Sequence, residues 1–249
     1  MPTKVKPKSS RKSVNPLYDA WKRCGLRKNI GLSLWDLPMP CSAVLDKPGA
    51  MTRHFLKRGG VHVLREKLTR QYSWAVPSRE AIRWIASRCQ LIVEIGAGRG
   101  YWANLLVKAG VDVVAYDCAI DQEGEMISNG HHYDQKKGES NNLFFPVQNG
   151  WPPYAARHTD RTLMLCWPPY ETNMAAMALK HYCGDRVLYI GEFHGCNADD
   201  SFFEMLDNEW QEIGECEIPT WPGIRDRICL FERKGMTKRA KRGTMGKPA

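Results

Sequence analysis

Short apolar runs alternate with amphipathic stretches along this 249-residue chain. The clearest instance is 91–117. Leu91-Ile92-Val93 leads through Glu94-Ile95 into a glycine loop with Gly96, Gly98 and Gly100. Trp102, Leu105, Leu106 and Ala109 then recur at helix spacing, and a second apolar run over 111–116 stops at Asp117. A strand buried on both faces needs a continuous apolar run, and parallel strands are buried in that way. The stretch therefore predicts a βαβ unit whose second strand ends in a carboxylate. Its glycines let the backbone turn sharply and approach a ligand, with N–H groups at the helix start. Asp117 follows about 20 residues on, where a carboxylate accepts from ribose hydroxyls.

The same pattern extends in both directions. Residues 15–28 predict a helix with Leu17, Trp21 and Cys24 on one side, and 51–71 a helix on both sides of Gly59-Gly60. Residues 31–49 are rich in Pro and Gly and read as irregular, with Trp35 among the side chains that should pack. Residues 14–71 thus form a mostly helical extension, placed over the ligand face or along a sheet edge. Tyr72 to Pro77 is an aromatic approach to a helix starting near Ser78, with Ile82, Ile85 and Cys89 as its buried stripe. After Asp117 a polar stretch, 121–142, should hold a short helix at 123–128. A third strand is expected at 143–147, ending at Gln148-Asn149-Gly150. The fourth, 161–166, is stopped at once by Trp167-Pro168-Pro169-Tyr170, because proline cannot continue a central strand. A helix at 172–182, a strand at 186–191 ending in Glu192, a helix around 201–206 and strands at 210–218 and 224–231 complete the order. That succession predicts an α/β fold, a doubly wound Rossmann-like sheet whose last pair is antiparallel, over 72–232.

Charge changes the picture only once it is located. The net +9 hides Lys4, Lys6, Lys8, Arg11 and Lys12 ahead of any acid. At the other end stand Arg233, Lys234, Lys238, Arg239, Lys241, Arg242 and Lys247, again with no acid among them. The tails, 1–13 and 233–249, therefore carry +12 and leave the body at −3. Both should be disordered, with nothing to bury. They solubilise the protein, attach it to nucleic acid or target it to the nucleus. No apolar run is long enough to span a membrane and no secretory leader follows the basic start, so no membrane partner is expected. Nine cysteines without a CxxC pair read as reduced thiols in an intracellular protein of the nucleus or cytoplasm.

The glycine loop narrows the ligand. A dinucleotide fingerprint is G-x-G-x-x-G, but here the third glycine comes one place early. Glu94 also puts an acid at the strand end, poorly suited to a pyrophosphate and well suited to a small cation. On these residues the chain resembles the class I S-adenosylmethionine-dependent methyltransferases over roughly 72–231. Their first motif, an acid and three alternating glycines, corresponds to Glu94, Gly96, Gly98 and Gly100. The resemblance implies a seven-stranded sheet, S-adenosyl-L-methionine as cofactor, Asp117 on the ribose and an adenine contact near Gln148 and Asn149. Tyr72 with Pro77 is similar to the aromatic-and-proline segment that such enzymes place on the cofactor, and Trp74 between them is either a core residue or a further cofactor contact.

Trp167–Tyr170 is the second anchor. Methyltransferases of amino nitrogens end the fourth strand in Asp/Asn/Ser-Pro-Pro-Tyr/Phe, and this chain matches at Pro168, Pro169 and Tyr170. It departs at Trp167, where the family has a polar side chain bonded to the target amine. Two prolines fix a rigid turn from which the Pro168 carbonyl can face an acceptor N–H. Tyr170 and Trp167 offer stacking faces for a planar group. Glu192 is the nearby group that could take the proton or orient the amine. An identical WPPY stands at Trp151–Tyr154, where it should open a helix, since proline is accepted in a first turn.

These residues point to N-methylation of a nucleobase exocyclic amine, adenine N6 in RNA. The alternatives are a small-molecule or protein methyltransferase and a catalytically silent S-adenosylmethionine-binding module. No metal is expected. His181-x-Cys183 and His194-x-Cys196 have zinc-like residues, but a strand of ~20 Å separates them. His131-His132 reads as an exposed loop pair. Arg99 either meets a ligand carboxylate or faces solvent, and Trp221-Pro222-Gly223 is a loop that could close over the acceptor.

Overall fold

The computed structural model describes residues 14–23, 60–120 and 143–235. Residues 1–13 and 236–249 of the basic tails, the segment with Trp35, the helix expected at 123–128 and His131-His132 lie outside the described residues. Seven strands form one mixed sheet in the order β3-β2-β1-β4-β5-β7-β6. They are β1 (Leu91–Ile95), β2 (Asp112–Asp117), β3 (Gln148–Asn149), β4 (Thr162–Cys166), β5 (Arg186–Gly191), β6 (Trp210–Glu217) and β7 (Arg227–Arg233). β1 to β5 are parallel, and β7 enters antiparallel to both β5 and β6. The crossing from β1's neighbour β2 to β4 on its other side opens a crevice at the strands' carboxyl ends. In open α/β sheets ligands bind there.

Alternation along the buried strands sorts the side chains into two layers. Ile92, Val113, Met164, Leu188, Ile190 and Ile228 point to one face. There they meet α3 (Arg79–Ala86) and α4 (Tyr101–Lys108). Val93, Leu163, Leu165, Val187, Tyr189 and Phe231 point to the other. That face packs on a 3-10 helix (Pro152–Arg157), α5 (Met174–His181) and α6 (Asp200–Glu209). Each fully buried large side chain contributes about 1.5–3 kcal/mol, so two continuous apolar layers suffice to hold the sheet. Ser78 caps α3, its hydroxyl accepting from the Ala81 amide at 3.0 Å. Asp199 caps α6 in the same way through Phe202.

The N-terminal extension adds α1 (Pro16–Arg23) and α2 (Gly60–Gln71). Leu17 and Trp21 of α1 are buried on the α3–α4 side. The Tyr101 hydroxyl accepts from Leu17 N–H, and the Trp21 indole donates to Thr220 O at 2.9 Å. α1 therefore bridges the start of α4 to the loop between β6 and β7. α2 leads directly into the Tyr72–Pro77 strap at the crevice.

Three expectations are corrected. Residues 143–147 are not a strand, and β3 is only Gln148–Asn149. Pro146 has no N–H for a ladder, and Phe144 is drawn instead against Tyr72 and Tyr101. The last strand begins at Arg227 rather than 224 because the Ile224 amide closes a turn onto Trp221 O. Arg233 and Lys234, counted among the tail charges, belong to the folded body. Arg233 donates to Tyr182 O and Gly184 O, and Lys234 Nζ to Asp207 O.

Candidate active site

At the carboxyl ends of β1, β2 and β4 lies an open cleft of ≈ 790 Å³ including its mouth. Its floor is Glu94 to Ala97. Tyr72, Trp74, Tyr101 and Trp102 form an aromatic wall. Asp117, Cys118 and Gly150 close one side, and Cys166, Trp167, Pro169 and Met174 the other. Glycine loop and WPPY segment thus face each other across one space.

The loop folds back onto β2 rather than holding its amides open. Gly96 and Ala97 N–H donate to Tyr116 O at 2.9 and 3.0 Å, and Gly98 N–H to Asp117 Oδ2 at 2.7 Å. Gly96, Gly98 and Gly100 all have positive φ, which lets the chain reverse this tightly. Amides occupied in this way are not offered to a pyrophosphate. Gly98 and Gly100 accordingly shape the loop without lining the cleft.

Glu94 reaches towards the start of α4 and is 2 % exposed. Burial, then the charge of Asp117, push its carboxyl up to about 8, against a smaller pull from the Ala103 amide. Its Oε2 is buried with no hydrogen-bond partner among the described residues. An orphaned acid oxygen beside an aromatic wall suits a cationic group. Asp117 is also raised by burial, against the Ala119 and Gly98 amides. Those amides use two of its roughly four acceptor positions, leaving capacity for hydroxyls. Glu94, Asp117 and the aromatic wall therefore fit the sulfonium-bearing nucleoside that the resemblance implies. Gln148 and Asn149 are exposed, and Asn149 Nδ2 donates to Ile120 O. Their neighbour Gly150, not they, lines the cleft.

On the acceptor side four non-glycine residues have left-handed backbones: Trp167, Glu171, His194 and Ala198. Such conformations cost of order 1–3 kcal/mol each and persist only when neighbours fix them. Here the β4 and β5 exits bind each other. Trp167 N–H donates to Ile190 O, Ala198 N–H to Pro168 O, and Glu171 N–H to Ala198 O. The Pro168 carbonyl, expected to face an acceptor, thus already takes an amide at 3.1 Å. Trp167 stacks on Trp74 with centroids 5.0 Å apart and planes at 15°, and its indole donates to Asp226 Oδ1 at 2.8 Å. Tyr170 is 57 % exposed and does not line the cleft; the nearby charges of Glu171 and Asp200 push its phenol up. Glu192 is buried and its carboxylate accepts amides from both Arg225 and Cys196. It ties the β5 exit to the β6–β7 loop.

Asp226 and Arg65 are the site neighbours that sequence reasoning missed, and no motif marks either. Arg99 turns away from the cleft, donating to Gln71 O at the end of α2 and lying 5.4 Å over Phe144. Trp221 is buried in the core behind the site. The first WPPY opens the 3-10 helix, with Pro152 at the cleft and Trp151 exposed. His181, Cys183, His194 and Cys196 do not converge. Among the described residues the metal-capable group is Glu212, Glu215 and Cys229, where Arg227 already pairs with both glutamates. No helix among the described residues is long and apolar enough to cross a membrane.

No known family profile and no curated protein matches the chain. Solved structures similar to parts of it include a Streptococcus pneumoniae protein assigned to tRNA (m1A22) methylation, in complex with S-adenosyl-L-methionine. It is 15 % identical with a TM-score of 0.41, over 64 % of this chain and 75 % of that one. Another is magnesium protoporphyrin IX methyltransferase from Synechocystis PCC 6803 with SAH bound. It is 13 % identical with a TM-score of 0.39, over 87 % of this chain and 94 % of that one. Independently of these, the seven-stranded mixed sheet with its antiparallel β7 and flanking helices is consistent with a Rossmann-like α/β methyltransferase fold.

Proposed function

We propose that this protein is an S-adenosyl-L-methionine-dependent N-methyltransferase acting on a nucleobase exocyclic amine, adenine N6 in RNA. The observation that carries the reading is the single cleft walled by Glu94 and the glycine loop on one side and by Trp167 and Pro169 on the other. S-adenosylmethionine, bound there, supplies a methyl group on a positively charged sulfur. Glu94 and Asp117 hold the cationic and hydroxyl-bearing parts of that ligand. Trp74 and Trp167 wall in a planar acceptor, and Tyr170 offers a further stacking face outside the cleft. The Pro168-Pro169 turn holds the acceptor side rigid, which is where most of the rate gain from orientation arises. An exocyclic amine reacts as the neutral species, so its proton can leave to solvent without a strong base. Glu192, bound to two amides, contributes by fixing the loop geometry.

On this reading polyanion attachment runs through the termini, a view supported by their basic residues without intervening acids. Incubation with labelled methyl donor against RNA, DNA, protein and metabolite fractions should place label in RNA, recovered as N6-methyladenosine after digestion. Deleting 1–13 and 236–249 should weaken RNA binding and flatten its salt dependence, because each neutralised phosphate contributes close to one unit of slope. Unchanged affinity and slope would remove the tails from the account. The second reading, a small-molecule or protein acceptor, is favoured by the acidic pair Glu171 and Asp200 beside Tyr170. It would place the label in the metabolite or protein fraction.

A further inference from the structure

Trp167 occupies the position at which the resembled enzymes carry a polar side chain, yet it is anchored by one. Asp226 immediately precedes β7, which runs antiparallel to β5 with Arg227 opposite Gly191. This brings Asp226 from 59 residues away to the β4 and β5 exits, where its Oδ1 accepts the Trp167 indole N–H at 2.8 Å. Trp167 has φ 52°, a costly region for a bulky side chain, so its neighbours must hold it there. Its amide on Ile190 O fixes only the backbone. The ring is fixed by the stack on Trp74, by Arg65 and by Asp226.

The three aromatic-site distances are informative together. Trp74 and Trp167 are 5.0 Å apart, and the Arg65 guanidinium lies 5.2 and 5.6 Å from their centroids. These sides form a nearly equilateral triangle, so the cation bridges both rings instead of extending the stack. Stacking and cation–π contact hold a ring near its partners but leave it free to slide. The hydrogen bond to Asp226 is the directional contact that sets where the indole points.

Asp226 is a costly way to make that contact. It is 5 % exposed, and its Oδ2 is buried without a partner among the described residues. An apolar side chain of similar volume would fill the space at lower desolvation cost. Packing therefore does not account for an acid here, whereas the indole N–H it accepts and the nearby Arg65 charge do.

We propose that Asp226 is the positioning residue of the acceptor side. It fixes the Trp167 indole as the cleft wall against which the acceptor ring lies, so that acceptor orientation rests on a fixed aromatic face instead of a polar side chain at position 167. The consequence for turnover rests on the methyl-transfer reading; the consequence for Trp167 does not.

The two stacked indoles should give an excitonic couplet in circular dichroism, identified by its loss in Trp74→Phe. Asp226→Ala and Asp226→Leu, the latter keeping volume without the acceptor, should lose most of the couplet while remaining folded. Asp226→Asn, which still accepts a hydrogen bond, should retain it. The same Ala and Leu variants should raise KM for the acceptor about tenfold, the scale of one aromatic–base contact, with S-adenosylhomocysteine affinity unchanged. A full couplet in whichever of the two variants folds, or failure of Asn to preserve it, would overturn the proposal. If the wild-type protein transfers no methyl group, the couplet still decides the positioning role, and only the functional reading falls.

Discussion

Stability of the ligand-free protein is expected to fall as pH rises from about 5 to about 8, by several kcal/mol, opposite to the usual behaviour of surface carboxylates. Glu94 and Asp226 are the cause. Burial raises each to about 8, from ordinary values of 4.5 and 3.8, and Asp117 is displaced in the same direction. Between the ordinary and raised values the folded chain binds a proton that the unfolded chain has released. The slope of stability with pH is therefore negative in that window. The contribution is fully present below the ordinary values and lost as pH passes about 8. One pKa unit is ~1.4 kcal/mol, so the rises from 4.5 and 3.8 to about 8 make each carboxyl's contribution on the order of 5 kcal/mol. Denaturant unfolding across this range should show the decline, and the double variant Glu94→Gln/Asp226→Asn should flatten most of it. A wild-type profile that rises through the window would show that these acids are ionised in the folded protein.

The second large effect is expected at Gly100. Replacing it by alanine should destabilise the protein by about 3 kcal/mol, from ~1–2 for the left-handed backbone and ~1–3 for overpacking. Gly100 has φ +70°, and a Cβ there would stand 2.8 Å from Phe145 Cβ and 3.0 Å from Val147 Cγ2. Neither atom is the free end of a flexible chain, so the 143–147 segment would have to move with the start of α4. For a chain of this size the loss corresponds to a fall of about 6–12 °C in Tm. Gly110→Ala is the control. Its φ is also positive, but a Cβ there meets nothing within 4 Å, so only the backbone cost should appear.

The elements most legible in the sequence are those whose pattern is local. β1, α4 and β2 follow from the apolar runs and helix spacing of 91–117, and β5 is found at its expected residues because 186–191 is apolar and bounded by polar turns. The N-cap at Ser78 is likewise local chemistry. What could not be read is what tertiary placement decides. Residues 143–147 carry strand-like apolar content, but Pro146 and the aromatic pocket beside Tyr72 and Tyr101 take them off the sheet. Asp226 reaches Trp167 only because β7 enters antiparallel, a pairing no window of sequence contains. Arg65 meets both tryptophans through the docking of α2. Arg233 and Lys234 look like the start of a basic tail, yet backbone carbonyls just after α5 and in the last turn of α6 bind them. Within the cofactor side, the chemistry of Glu94 and Asp117 was visible from strand ends alone; their burial was not.

The central claim is that this cleft is built around an acid for a small cationic ligand and not around open amides for a pyrophosphate. Calorimetric titration of S-adenosylmethionine and of NAD, repeated from about pH 6 to about pH 8.5, tests it directly. Below about 8 Glu94 holds a proton that a cationic ligand must displace. S-adenosylmethionine is expected to bind with an affinity that rises with pH, by up to about tenfold per unit, and to release a proton on binding. Glu94→Gln should abolish that dependence, and NAD should give no binding heat. Binding of NAD without S-adenosylmethionine, or an S-adenosylmethionine affinity indifferent to pH and to Glu94→Gln, would contradict it.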